Sequence, residues 1–500
     1  MFPFDVSAVA VHNVEEEVGP RQKKQRVEAP GPGPSLSLTP SQSLSPSLSP
    51  SLSLSIPFGT ARVGATYQVP LTALPAGWKQ QPWFLAMSLM PRANPSCPLK
   101  PQPLHTAFAD NDTLHLPRFW GLAHCGPAAE ARAPGHDMSA DVSFAATLNQ
   151  VQVGATAAAL SSLRGLGGAM LVLPCGFGKT VCALWLAVQL RVKTLVIVHS
   201  EALADQWRER INTFMPAATI GRIQQDTVVT EGCAVVVCMI QSLVKRVYGA
   251  EVLASFGFVI VDEAHHVAAP LFSKALGKLP ARHVLGLSAT PDRADGLGCA
   301  LEWFMGPVAF RATRQAERVD VHMHTYTTGA QKEVLNRKGD PMCSTMITNL
   351  SADGARTVEI KELIGEQIMA GRNIMVLSDR LSHLVTLHAM LVEDYPYVLI
   401  MQVVGGTKVA ERDRGFELAR VILSTYHYAS EGIDIPRLDT LVLATPRGTI
   451  EQSVGRILRP FSNKQSPLVI DVKDPFSMFE GMSWKRHRYY KSQKYSVVFK

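Results

Sequence analysis

The 500-residue sequence predicts an α/β protein: two tandem domains built on parallel sheets, a small N-terminal accessory domain and a disordered N-terminal tail. Three observations carry this prediction. Short, nearly unbroken apolar runs recur beyond residue 150, helix-length stretches separate them, and a Ser/Pro-rich segment precedes them all. Strands covered by helices on both faces read as continuous apolar runs, because neither face meets water. The composition is 46% hydrophobic and 18% charged, which excludes a wholly disordered or collagen-like chain.

Residues 1–56 read as a low-complexity tail. Ten of the 21 residues from Ser35 to Ser55 are serine. The alternation imitates a strand, but such repeats bury too little surface to offset backbone ordering. Upstream, Lys23-Lys24-Gln25-Arg26 is either a nuclear-import signal or a plain solvated charge run. The first residues lack a basic leader, and no apolar run reaches the roughly 18 residues of a membrane span, so neither secretion nor a membrane is expected. Eight cysteines without a C-x-x-C pair or zinc-ligand spacing read as reduced, buried thiols of an intracellular protein.

Residues 57–145, richer in proline and aromatics, predict the accessory domain, with a short strand and turn over Leu114–Leu122. Strands follow at Met170–Leu173, Thr194–Val198, Ala234–Cys238, Phe258–Val261 and Val284–Leu287, with helices over Thr180–Leu190 and Ala202–Phe214. These make a first sheet domain over 146–310. Residues 311–368 read as a connecting segment. Apolar runs at Ile374–Leu377, Val398–Met401, Val421–Leu423 and Leu441–Leu443 place a second domain over 369–475, leaving 476–500 as a basic, aromatic tail. The net charge of +7 is uneven: residues 1–145 contribute 0, residues 146–460 contribute +2 and residues 461–500 contribute +5.

Two motifs carry chemistry by themselves. Pro174-Cys-Gly176-Phe-Gly178-Lys179-Thr180 follows a strand and opens a helix. Glycines there let backbone N–H groups approach phosphates, Lys179 would reach the β- and γ-phosphates, and the Thr180 hydroxyl would ligate Mg²⁺. The longer phosphate-loop formula wants glycine at Leu173, so the match is to Gly-x-Gly-Lys-Thr. Phe258-Val-Ile-Val-Asp262-Glu263-Ala-His265 ends a buried strand in paired carboxylates. Asp262 suits Mg²⁺ binding and Glu263 suits orienting and deprotonating a water, so a nucleotide and Mg²⁺ are the expected ligands, the nucleotide being ATP on the resemblance that follows.

In order along 148–460, these and further motifs resemble superfamily 2 helicases with a DEAH-type box. The resemblance implies two tandem RecA-like (P-loop NTPase) domains. Leu148-Asn-Gln-Val-Gln152 resembles the adenine-reading element, with Asn149 where the family has arginine, and implies a nucleotide contact at Gln152. Val198–Trp207, containing Gln206, and Met239-Ile-Gln241-Ser242-Leu243 are similar to the strand-tracking motifs. Leu287-Ser288-Ala-Thr290-Pro291 resembles the motif that couples hydrolysis to movement, a role His265 would share. Ser378-Asp-Arg380, Ser424-Thr425 and Glu431-Gly432-Ile-Asp434 look like the fourth and fifth motifs: nucleic-acid contacts at Ser378, Arg380, Ser424 and Thr425, nucleotide contacts at Gly432 and Asp434. Gln452-Ser-Val-Gly-Arg456-Ile-Leu-Arg459 resembles the sixth; on one continuous helix its three polar side chains share a face and both guanidinia suit the γ-phosphate.

Finer details, including Pro174-Cys-Gly176 and Arg293-Ala-Asp295, look like the XPB-related branch and its relatives in large nucleocytoplasmic DNA viruses, although that branch carries Arg-Glu-Asp at the latter site. The implied activity is an ATP-dependent helicase on nucleic acid, DNA favoured over RNA, with transcription or repair machinery as partners and the nucleus, cytoplasm or a virus factory as location. The alternatives are an ATP-driven translocase or transcript-release factor without processive unwinding, and a non-enzymatic scaffold. The last segment interleaves Trp484, Lys485, Arg486, Arg488 and three tyrosines. Either Lys485, Arg486 and Arg488 neutralise phosphates while rings stack on bases, or the segment is an amphipathic helix docked on the second domain.

Overall fold

A computed structural model describes residues 56, 59–92, 102–174, 176–264, 269–289, 296–312, 318–327, 331–432, 435–459 and 461–500. The expected tail through Ser55, with Lys23-Lys24-Gln25-Arg26, lies outside the described residues, as do His265, Thr290, Asp434 and the Arg293-Ala-Asp295 motif.

Eight strands form the first large sheet, in the order Thr227–Val229, Ile220–Gln224, Val235–Met239, Thr194–Val198, Phe258–Val261, His283–Ser288, Gly168–Val172 and Val308–Arg311. All pairings are parallel except the hairpin between the first two. Strand periodicity sends alternate side chains to opposite faces. Val259 and Val261 therefore join the core under helices Ile240–Lys245 and Gly298–Met305, while Phe258 and Ile260 join the core under Gln150–Gly165, Lys179–Leu190 and Glu201–Phe214.

The second large sheet is parallel throughout, in the order Ile400–Gln402, Val421–Thr425, Ile374–Ser378, Thr440–Leu443, Leu468–Lys473, Asp320–Thr325 and Ser496–Phe499. This moves two expected boundaries. The 311–368 segment is not a connection: Asp320–Thr325 lies inside the sheet, and helix Gly354–Met369 buries Ile360, Ile364 and Ile368 beneath it. That strand alternates Val321 and Met323 with His322 and His324 instead of running apolar, so it carried no continuous signal. Residues 476–500 are not a tail either. They form helix Ser477–Ser492 and strand Ser496–Phe499, which pairs with Asp320–Thr325.

Two buried ion pairs anchor this arrangement around Leu468–Lys473. Arg356 grips Asp474 through Nε and Nη2, at 2.9 and 2.8 Å, and donates Nη1 to the Ala444 carbonyl. Arg486, from the C-terminal helix, grips Asp471 at 2.7–3.0 Å, and Tyr490 adds its hydroxyl to the same carboxylate.

The accessory domain is a five-stranded sheet, Phe108–Asp110, Thr113–Leu116, Tyr67–Pro70, Arg62–Val63 and Ala129–Glu130 in order, over a core of Tyr67, Trp83, Leu114, Leu116 and Trp120. The expected turn after Leu116 is helix Arg118–His124, entered through Pro117. Gly121 lets that helix lie on Tyr67: a Cβ there would fall 2.3 Å from the ring. The expected end at 145 shifts toward Glu130. Beyond it the chain hydrogen-bonds to the first large domain, Ala133 N–H to Pro280 O and His136 N–H to Ser255 O. Among the described residues no helix is long and apolar enough to cross a membrane.

Candidate nucleotide and nucleic-acid site

In a parallel sheet the carboxyl ends of all strands lie on one edge, where ligands bind. Gly168–Val172 ends there in the glycine loop and Phe258–Val261 ends there in Asp262-Glu263. Gly176 and Gly178 hold φ of 85° and 80°, left-handed values that favour glycine. At Gly178 a Cβ would also lie 2.4 Å from Gln152 Nε2, so the glutamine amide would have to move off the loop. Helix Lys179–Leu190 starts at the loop, so its first amide groups and positive dipole end face the same space. Lys179 Nζ lies 3.6 Å from Glu263 Oε1 and 3.4 Å from the Leu173 carbonyl.

Asp262 is buried. Its Oδ2 accepts Trp207 Nε1–H at 2.8 Å and its Oδ1 accepts the Glu263 N–H at 2.9 Å. Burial, then the Glu263 charge, push its carboxyl up to about 6 against the pull of Lys179 and the Trp207 hydrogen bond. Glu263 adopts φ of 45°, a conformation costing a non-glycine residue about 1–2 kcal/mol. Backbone bonds from Asp262 N–H to Ile197 O and from Ala264 N–H to Leu287 O hold this turn between neighbouring strands.

The donor set fits Mg²⁺. Thr180 and Asp262 offer hard oxygens, and each Asp262 oxygen keeps a lone pair beyond its present hydrogen bond. No three His, Cys, Asp or Glu side chains converge on a metal position among the described residues. A nucleotide-bound Mg²⁺ needs only one or two protein ligands, with phosphates and waters supplying the rest.

Gln152 does something the sequence did not announce. Its Oε1 accepts the Asn149 N–H at 3.0 Å, its own N–H goes to Asn149 Oδ1 at 2.9 Å, and its Nε2 donates to the Phe177 carbonyl at 3.2 Å. Asn149, standing where the family has arginine, thus builds a capping box, and Gln152 braces the glycine loop. In the second domain, helix Glu451–Arg456 stops before Arg459. Gln452 and Arg456 share it, with Arg456 largely buried, but Arg459 lies in a bend beyond the turn that ends it. The expected single helical face for all three is corrected: Ile457 N–H bonds back only to Val454 O and tightens the helix to a close.

The family model described as "Type III restriction enzyme, res subunit" matches residues 145–293. A protein of Acanthamoeba polyphaga mimivirus, provisionally named an ATP-dependent RNA helicase, is 32% identical over 393 residues, covering 77% of this chain and 75% of its own. The chain belongs to the superfamily 2 helicases. The helicase is also 27% identical over 356 residues to an African swine fever virus protein of the same provisional name, covering 65% and 69% of the two chains. A solved structure of the ATP-dependent Type ISP restriction-modification enzyme LlaBIII bound to DNA overlays 71% of the helicase and 32% of that chain, with a TM-score of 0.51 at 16% identity, a likeness of fold. The helicase is accordingly an ATP-hydrolysing enzyme.

The residues expected to meet the strand divide by burial. Gln241 Nε2 donates to the His199 carbonyl at 2.8 Å, and Ser242 Oγ accepts the Gln225 N–H at 2.9 Å. Both line a cavity of about 460 Å³ with Gln224, Lys245 and Arg246. Gln206 lines a cleft of about 510 Å³ together with Arg412, Asp413 and Phe416 of the second domain. Arg380 donates to Ser344 and Thr348, holding helix Cys343–Ala352. Thr425 Oγ1 accepts the Tyr428 N–H at 3.3 Å and caps the following turn.

Three expected nucleic-acid contacts are corrected. Ser378 and Ser424 are fully buried; the first bonds to His383 and the second to the Val403 carbonyl, so they shape the sheet edge from within. Arg486 is 2% exposed and occupied by Asp471 and the Arg447 carbonyl. Ser288, assigned to coupling, is also fully buried at the end of its strand. Lys485 and Arg488 remain at the surface. Sequence reasoning missed Trp207 as a partner of Asp262. Its neighbour Gln206 was read for nucleic acid, while an indole N–H in an amphipathic helix gives no sign of which carboxylate it meets.

Proposed function

We propose that the helicase couples Mg-ATP hydrolysis between its two parallel-sheet domains to stepwise movement along a nucleic-acid strand, and that duplex DNA is what it opens. The observation that carries this reading is the convergence of Lys179, Asp262 and Glu263 on one sheet edge, with Glu263 3.6 Å from the lysine that would meet the γ-phosphate.

Gly176, Gly178 and the first turn of Lys179–Leu190 would cradle the phosphates, with Gln152 bracing the loop. Thr180 and Asp262 would hold Mg²⁺, which when bound neutralises charge on the phosphate oxygens. Glu263 would take the proton of the attacking water. Arg456 and Arg459, from the other domain, would meet charge developing on the γ-phosphate, so that closure completes the site and hydrolysis releases it. Gln206, Gln241 and Ser242 would hold the strand on the first domain.

The preference for DNA rests on the XPB-like details of the sequence. The RNA reading is favoured by the names of the two viral relatives. ATP hydrolysis measured in parallel with single-stranded DNA, duplex DNA and RNA decides between them. Stimulation by DNA supports the proposal, stimulation by RNA alone replaces the substrate, and no stimulation by any of the three overturns the coupling. A strand-displacement assay beside a roadblock-removal assay separates unwinding from pure translocation.

A further inference from the structure

The docked C-terminal helix leaves a face that the fold does not use. Phe479, Ser483, Arg486 and Tyr490 point inward, whereas Trp484, Arg488 and Lys491 lie on the outward side, spaced i, i+4 and i+7. Trp484 is 53% exposed and Phe499, at the end of the edge strand, 58%. Half-buried His487 joins them, its ring 5.6 Å from Trp484 and 5.4 Å from Phe499. Lys473 Nζ sits 5.8 Å from the Trp484 ring. Helix Ser477–Ser492 holds four Lys or Arg residues and one acid, Glu480.

The position of this row matters as much as its chemistry. Lys473 and Phe499 end two strands that flank Asp320–Thr325 and run parallel to it, so both lie at the carboxyl edge of the second sheet. Lys485 ties the helix to the same edge through a 3.0 Å bond to Thr449 Oγ1. A row of exposed rings would be a solubility burden for a surface with nothing to meet. Rings interleaved with cations match one chemistry well: unpaired bases offer flat faces to stack, and their backbone offers a phosphate at every step.

We infer that Trp484, His487 and Phe499, flanked by Lys473, Arg488 and Lys491, form a stacking platform for a single-stranded polynucleotide leaving the second domain. The inference rests on the nucleic-acid reading above and adds a site to it. Arg486 and Tyr490, both from the same basic stretch, are excluded from the platform because they are buried against Asp471.

The test uses the full chain, with fluorescence anisotropy of labelled 20-mer dT, 20-mer U and a 20-base-pair DNA duplex, and a thermal melt of each variant. Trp484→Ala weakens binding of the single strands about tenfold, the scale of one lost base–aromatic stack. Trp484→Phe restores most of it, and duplex affinity changes less than twofold. Lys491→Glu weakens binding at low salt and progressively less as salt rises. Unchanged single-strand affinity in Trp484→Ala overturns the platform, as does an equal loss for duplex or a loss matched by a lowered melting midpoint. The dT and U arms show which sugar the platform takes. Should the unaltered chain bind none of the three probes, the proposed function itself fails; binding by the unaltered chain with no effect of Trp484→Ala removes only the platform.

Discussion

At the residue scale, Glu263 combines the proposed role of base with a backbone that disfavours its side chain. Glu263→Gln keeps the shape and removes the base, so ATP hydrolysis falls about 10²–10⁴-fold while nucleotide binding persists, as single-turnover kinetics and equilibrium binding will show. The φ of 45° adds a second expectation: Glu263→Gly melts as a protein about 1 kcal/mol more stable than Glu263→Ala, although both are inactive. Trp207→Phe removes the donor to Asp262 and leaves a smaller aromatic ring in its place, so stability falls by at least about 1–3 kcal/mol in chemical denaturation and hydrolysis falls with it. A distant residue carries a pH signature. Burial, then the Arg356 charge, lower His383 from 6.5 to about 4. The folded state therefore keeps it neutral, and its stability contribution is complete above pH 6.5 and lost as pH falls toward 4. Across that window the stability advantage of the unaltered chain over His383→Gln shrinks by up to about 3 kcal/mol, measured by urea titration at each pH. Lys179, Thr180, Asp262 and Glu263 were open to proposal from the sequence, because phosphate and water chemistry call for those side chains after those strands, and the structure sets Lys179 beside Glu263 at the ends of two of them. Trp207 and the Asn149–Gln152 cap were not, since each depends on which residue the fold sets opposite.

At the element scale, the sequence signalled strands in proportion to how completely they are buried. Thr194–Val198 and Phe258–Val261 were legible to the residue, being apolar on both faces. Asp320–Thr325 and Ser496–Phe499 escaped because each carries polar or exposed residues beside apolar ones. The C-terminal helix shows why charge alone misleads: its bases divide between one that holds the core and others that face water. Arg486→Ala strands the Asp471 carboxylate in the interior and destabilises the second domain by about 3–5 kcal/mol, whereas Arg488→Ala changes stability by less than about 0.5 kcal/mol. Differential scanning calorimetry of the two variants separates these outcomes. Removal of residues 481–500, which on a tail reading would leave the ATP site formed, instead takes Arg486 from Asp471, Tyr490 and Tyr495 from the core and the edge partner from Asp320–Thr325.

At the scale of the whole molecule, the accessory domain is joined to the first large domain by a buried cation. Arg118 is 2% exposed and donates to the carbonyls of Ala281 and Leu279, at 2.8 and 2.9 Å, just before strand His283–Ser288. Burial lowers its guanidinium to about 9, so it remains charged at neutral pH. Arg118→Ala leaves two carbonyls without their donor, and limited proteolysis then cuts between residues 124 and 145 faster than in the unaltered chain, while the large domains resist as before. The tandem architecture was legible from recurring apolar runs. The extent of the second domain was not, because its completion uses segments far apart in the chain.

That separation governs how the protein is made. Asp320–Thr325 is the first strand of its domain to be synthesised, yet both of its neighbours, Leu468–Lys473 and Ser496–Phe499, come last. While the intervening chain emerges, Val321 and Met323 have no sheet to enter and both strand edges offer unpaired amides. The second domain thus has a long window in which it depends on protection during translation, and a ribosome stalled anywhere before residue 496 holds an open sheet.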